Sequence, residues 1–491
     1  MTFPTINRLL ALTCLGFTIF SCNTKQSSDI QLSEIEQVSY NFHIRPILSD
    51  KCFACHGPDA NKRESDLRLD TETGAYAALK DDPSQFVIKP GELEESTVYH
   101  RITSEDPGEL MPPPESNLSL TELEIQLIKK WIEQGAKYEP HWAFVPAEKS
   151  PLPEETAWTT NEIDRFTLKK MKEKGLQPNP EAEPYELVKR ASLDLTGLPP
   201  SPEVLDKFGD FSGENSYEDL LDGLLADPGF GEKLAILWMD ISRYSDSYGY
   251  QDDNIRTQWP YRDWVIHAFN ENMPYDQFVT WQLAGDLLPD PSKEQILATA
   301  FNRNHKYTEE GGVIDEEYRI EYVLDKTNTV SKGLLGVTME CAQCHDHKYD
   351  PFSQKEYYQM FAFFNNSPEK GYEGDVSQSK PAKTPILWVD QEDLSGVMSF
   401  INYSDTTKLS VSVMGELEEQ RPTYILDRGV YDAPTVEVEP STPSSIMEFS
   451  PELEKNRLGL ANWITDKKNP LTARVFVNLM WQEIFGQGIV K

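Results

Sequence analysis

The chain is poor in cysteine and in positive charge. Only six cysteines occur in 491 residues, and two of them, Cys14 and Cys22, fall within the first 22. A chain so sparing in cysteine is not a disulfide-stapled scaffold. Lys and Arg number 46 against 81 Asp and Glu, for a net charge of −35. Such a surface repels phosphate backbones and anionic headgroups, which argues against nucleic acid as a partner. There is no P-loop, nucleophile elbow, H-E-x-x-H or dinucleotide fingerprint. The familiar hydrolase, nucleotide-binding and zinc-protease chemistries therefore have no foothold.

The apolar run Leu9–Phe20 follows a single Arg8. As a helix it rises about 18 Å, too short for a ~30 Å hydrocarbon core. It reads as an export signal. The signal ends Ile19-Phe20-Ser21-Cys22. An apolar residue, a small residue and then Cys resembles a bacterial lipoprotein cleavage box. Residues 1–21 are therefore expected to be removed, leaving Cys22 as a lipid-anchored N-terminus. Residues 22–39 are polar and form a tether, and the expected location is the periplasm or cell envelope.

The four remaining cysteines sit in two copies of one pattern, "CFACH" at 52–56 and "CAQCH" at 341–345. Cysteines three apart lie about one helical turn apart, a spacing that suits thioether bonds to the two vinyl groups of haem c. The following histidine then ligates iron. Cys52, Cys55 and His56 are thus candidate haem ligands, as are Cys341, Cys344 and His345. For the second set, a disulfide or a metal site stays open. Around the first, "LMPPP" cannot be helix interior and forms a loop that holds Met111 as a candidate second axial ligand. His43 and His100 compete for that role. Thr121-x-x-Glu124 then opens a helix with Ile125, Ile128, Trp131 and Ile132 on one stripe. This is the plan of a small class I-like cytochrome c.

Residues 40–137 resemble the planctomycete-type cytochrome c domain in "ILSDKCFACHGPD", "DLRLD", "IKPGELEESTVYHRI", "LMPPP" and "LIKKWIEQGA". The resemblance implies haem attachment at Cys52 and Cys55, with His56 proximal and Met111 distal. From "HWAFVPAEK" to about residue 370, the chain resembles the second planctomycete cytochrome domain. The matching strings include "LVKRASLDLTGLPPSPE" and "CAQCHDHKYDPFSQKEYYQMFAFF". From 414 onward it resembles the opening of a third associated domain, which normally continues further, so the chain is expected to be truncated. The resemblance brings no reaction for the second and third domains.

The expected fold is mainly α: a class I-like helical cytochrome domain over 40–139 and a larger, mostly helical domain over 140–380. A minor β-rich segment over 381–450 and the start of the third domain over 451–491 follow. Ile163, Phe166 and Met171 mark one helical stripe; "TPILWVD", "KLSVSVMGEL", "PTYILDRG" and "PTVEVEP" read as strands. His305 in "FNRNHKYTEEGG" is the leading candidate for the second iron's distal ligand, ahead of His267 and Met360; His347 and Met339 are too close in sequence to His345. An open iron is the other possibility. The acidic run from Glu309 to Asp325 is a solvated face or a calcium or sugar site. Three functions follow: an electron relay with a redox partner protein, for which a basic one suits the acidic surface; a haem-coupled oxidoreductase acting on a carbohydrate or other small substrate; or a one-haem binding scaffold. Whether the protein is an enzyme stays open.

Overall fold

The computed structural model describes residues 35–60, 62–211, 216–405 and 407–490. The signal, the Cys22 anchor and most of the tether lie outside the described residues. The fold is mainly α, and among the described residues the strands form two small two-stranded sheets. No described helix is long and apolar enough to cross a membrane.

The chain divides into two compact units. The smaller holds the described residues up to Lys51 together with Ala75–Tyr138. Its longest helix, Glu122–Glu133, opens on a reciprocal cap. The Glu124 N–H donates to Thr121 Oγ1 at 3.3 Å, and the Thr121 N–H donates to Glu124 Oε2 at 2.6 Å. The helix buries Leu127, Ile128, Trp131 and Ile132, while Ile125 is half-buried, so the stripe is rotated slightly from the expected one. Trp131 packs 5.8 Å from Tyr40, and Tyr40 lies 4.4 Å from Tyr138. Burying each large side chain of this set contributes roughly 1.5–3 kcal/mol.

The larger unit holds Cys52–Gly74 and Glu139–Lys491. This departs from the sequence division in two ways. Residues 52–74, expected inside the small cytochrome domain, cluster with the larger unit. The segments 140–380, 381–450 and 451–491, expected as separate pieces, share one apolar core. That core runs from Trp238, Trp264 and Phe278 through Val323, Tyr358 and Phe363 to Val411, Leu460 and Trp463. Long-range packing of this kind leaves no local sequence mark.

Two helices frame the second Cys-x-x-Cys-His motif. Asp315–Leu335 ends where Gly336 adopts a left-handed φ of +64°. Gln354–Asn365 begins at Ser353, whose hydroxyl and backbone exchange hydrogen bonds with Glu356. The helix Glu162–Glu173 forms too, capped by Asn161 and Asp164, but its stripe is not a core face. Ile163 and Phe166 are 52% and 43% exposed, and Leu168 is the buried residue instead. The four β readings hold. β1 (Ile386–Val389) pairs antiparallel with β2 (Leu409–Ser412) in register Ile386 to Ser412. β3 (Thr423–Leu426) pairs antiparallel with β4 (Pro434–Val438), with a register shift between Tyr424 and Leu426.

Candidate functional site

The first motif is a single helical turn, Phe53–His56. The N–H groups of Cys55 and His56 both donate to the Cys52 carbonyl, at 3.1 and 2.8 Å. Phe53 is buried and anchors the turn, whereas Cys55 is exposed and Cys52 and His56 are half-buried. A glycine must follow: a Cβ on Gly57 would stand 2.4 Å from the Phe53 carbonyl oxygen. The loop then folds back over the turn. Glu64 N–H donates to Cys55 O at 2.8 Å, and Leu69 N–H to His56 O at 2.8 Å. Arg63 clamps the loop by donating to Gly57 O at 3.2 Å and Pro58 O at 2.7 Å.

His56 Nδ1 is buried with no hydrogen-bond partner. Burial pulls the imidazole below its ordinary value, partly offset by the backbone of Glu64 and Leu67. The ring is therefore neutral at pH 7, the form that coordinates iron.

The second motif occupies the 3-10 turn Glu340–Gln343 and the residues after it. Ala342 is fully buried, and Cys341 and Cys344 are exposed. Gln343 is held from behind: its carbonyl accepts from the Tyr358 hydroxyl at 3.0 Å and from Gln354 Nε2 at 3.1 Å. His345 Nδ1 donates to the Asp346 carbonyl at 2.7 Å. That bond fixes the tautomer and leaves the Nε2 lone pair for a metal, the usual outer partner of a ligating histidine. Beside Cys344 the chain places Gly429, with φ +75°; a Cβ there would lie 3.2 Å from Cys344 Sγ. A glycine keeps that space open.

All four described cysteines are thiols outside any disulfide. Among the described residues, no group of three or more His, Cys, Asp or Glu is arranged to hold a metal ion. Two cysteines and one histidine on one turn are the set that haem c requires. The residues of both motifs fit the group.

Three family matches follow one another along the chain. Residues 52–115 match the family described as Planctomycete cytochrome C. Residues 162–369 match a protein of unknown function, DUF1549, and residues 456–491 match another, DUF1553. The chain is a planctomycete-type cytochrome c domain protein. No curated protein and no solved structure matches it. A cytochrome-like role follows from the first match, which begins at Cys52. The second motif lies inside the DUF1549 match.

Within this cytochrome-domain protein, His305 is not placed as the sequence suggests. Its Nδ1 donates to Lys306 O at 2.6 Å, and its Nε2 lies 2.7 Å from Glu369 Oε1. The ring also stacks on Tyr322 at 4.4 Å. Both ring nitrogens face protein oxygens and the ring is buried, so in this arrangement neither nitrogen is open to iron. It belongs instead to a buried polar hub in which Glu369 faces Arg303 at 2.9 Å and pairs with Lys326. The side chains ranked behind His305 are engaged as well. Met339 and Met360 are core residues, His267 stacks on Phe400 at 4.6 Å, and His347 Nδ1 accepts the Asp350 N–H at 2.8 Å.

The acidic run divides: Asp315, Glu316 and Glu321 lie exposed on the helix, whereas Glu309 does not. Glu309 is fully buried, pairing with Lys383 at 2.5 Å and accepting from Asn254 and Ser379. Glu316 pairs with Arg319, Asp315 accepts the Tyr372 N–H, and Glu310 accepts the Gln251 N–H.

Met111 lies in the smaller unit, half-buried, with its N–H on Arg101 O at 3.0 Å. His43 Nδ1 accepts from Ser39 N–H, and His100 Nε2 donates to Glu94 O. Sequence reasoning missed Arg63, Gln343 and Gly429; Gly57 carried a local signal, because it directly follows the first motif.

Proposed function

We propose that the protein is an exported c-type cytochrome that passes single electrons, with covalent haem at two sites. Cys52, Cys55 and His56 hold the first; Cys341, Cys344 and His345 hold the second. The observation that carries this is the repetition of one donor set. In both motifs the cysteines stand outside disulfides, and the histidine keeps a nitrogen for iron. Haem c, when bound, supplies one-electron exchange. The chain's residues do the rest: Phe53 and Ala342 anchor the two turns, Arg63 and Tyr358 fix the backbone beside them, and Asp346 orients the second imidazole.

On the resemblance, Met111 is the distal ligand of the first site. Exchange Met111→Ala is expected to abolish the long-wavelength sulfur-to-iron absorption band and to lower that site's reduction potential, since a thioether ligand raises it. An unchanged band in the variant would remove Met111 from the site. Export, the lipid anchor at Cys22 and docking of a basic redox partner on the acidic surface complete the reading. Such docking weakens with added salt.

One observation favours a second reading, a haem-coupled oxidoreductase. A cleft of about 430 Å³, lined by Arg243, Asp325, Lys332 and Glu340 among others, reaches the residue just before Cys341. Carbon monoxide binding to the reduced protein, lost in Cys341→Ala with Cys344→Ala, supports that reading over a pure relay.

A further inference from the structure

The loop that closes the first motif also reaches the second. Asp59, three residues after His56, is only 7% exposed, and its Oδ2 lies 3.8 Å from His345 Nδ1. That nitrogen is the one that donates to the Asp346 carbonyl. Further along the same loop, Arg68 pairs with Asp70 and lies within electrostatic range of Asp346. Loop and second motif belong to the same compact unit. From His56 to Asp59 the chain spans at most about 11 Å. Two motifs far apart in sequence are therefore neighbours in space, joined through one carboxylate.

We propose that the two haem-attachment motifs are built as an adjacent pair, with Asp59 as the positioning residue that the first motif's loop supplies to the second motif's histidine. This rests on the two-haem reading above. A ligating histidine gives its other N–H to a carbonyl or carboxylate, which fixes the ring and raises its basicity. Here the carbonyl of Asp346 takes the hydrogen bond, and the Asp59 carboxylate adds negative charge beside the same atom. Negative charge close to the ligand favours the more positive, oxidised iron and so lowers its reduction potential. The loop is held for this task by Arg63 on Gly57 and Pro58 and by the Leu69 bond to His56. A solvated aspartate would need none of that.

The test uses the full-length haem-loaded protein and begins with its haem content. Asp59→Asn is expected to keep two haems, to raise the potential of one and leave the other near its parent value, and to weaken the iron–histidine stretch of the shifted site. Asp59→Glu is expected to recover part of the shift. A merely structural aspartate would alter stability and leave the potentials and the stretch alone; that result overturns the proposal. A second measurement needs no change at Asp59. Removing the first site with Cys52→Ala and Cys55→Ala is expected to move the midpoint of the second, because adjacent charged centres interact, and to remove spin coupling from the oxidised protein's resonance spectrum. Two haems that titrate independently, without spin coupling, overturn the pairing while the two-haem reading stands. A single haem in the parent overturns both.

Discussion

Replacing Glu369 by alanine is expected to cost the larger unit about 3–5 kcal/mol, a large part of a domain's net stability. Glu369 is fully buried and is the anion shared by Arg303, His305 and Lys326. Without it, two cations and an imidazole face one another in a site sealed from bulk solvent. Denaturant titration followed by tryptophan fluorescence measures the loss, and a change under about 1 kcal/mol would contradict the hub. The pH dependence has a definite sign. Burial pushes the Glu369 carboxyl up, but Arg303, Lys326 and His305 outweigh it and hold it well below its ordinary value of 4.5. Its stabilisation is therefore complete above about pH 4.5 and is lost as the pH falls through the lower folded value. Burial pushes His305 down to about 4 from 6.5, against the pull of Glu369. Between those two values the unfolded chain binds the extra proton, so stability rises with pH there too. Lys326 is pushed down by burial to about 8, and its window, also one of rising stability, lies between about 8 and 10.5. Below about pH 4 the remaining acid limb belongs to Glu369.

A loss of similar size, about 3–5 kcal/mol, is expected for Arg457→Met. Arg457 is fully buried at the start of the helix Arg457–Thr465. Its guanidinium makes two parallel bonds to Asp286, at 2.8 and 2.6 Å, and further bonds to Glu416 at 3.0 Å and the Leu283 carbonyl at 2.8 Å. Burial opposes its charge, but Asp286 and Glu416 prevail and raise its value. Methionine fills the volume and strands two carboxylates. Adding Asp286→Asn and Glu416→Gln is expected to recover part of the loss, because the cost lies in unpaired charge and not in shape. If the triple variant is no more stable than Arg457→Met, that account fails. The cluster joins the residues of the DUF1553 match to the core of the DUF1549 region, which explains why residues from 456 onward belong to the larger unit.

What could be read from the sequence was local. Cys-x-x-Cys-His states its own spacing, so both motifs were visible at once. The cap at Thr121 was visible because Glu124 lies three residues from its hydroxyl, and the four strands because alternation and flanking turns lie within one short window. What could not be read was set by distant partners. "FNRNH" presents His305 as a candidate ligand, but Glu369, which takes its second nitrogen, stands 64 residues away. Glu309 looks like one acid among many until Lys383, 74 residues on, is seen against it. The stripe of Ile163 and Phe166 gives the phase of a helix, not what covers it. The most consequential case is Asp59: nothing local in "CHGPDA" indicates that its carboxylate stands beside His345.

The central claim is that both motifs carry covalent haem, and a pyridine haemochrome assay on purified, exported protein tests it most directly. Haem per mole of chain is measured in the parent, in Cys52→Ala with Cys55→Ala, and in Cys341→Ala with Cys344→Ala. Two haems in the parent and one in each double variant is the predicted result. One haem in the parent, unchanged when Cys341 and Cys344 are replaced, would contradict it.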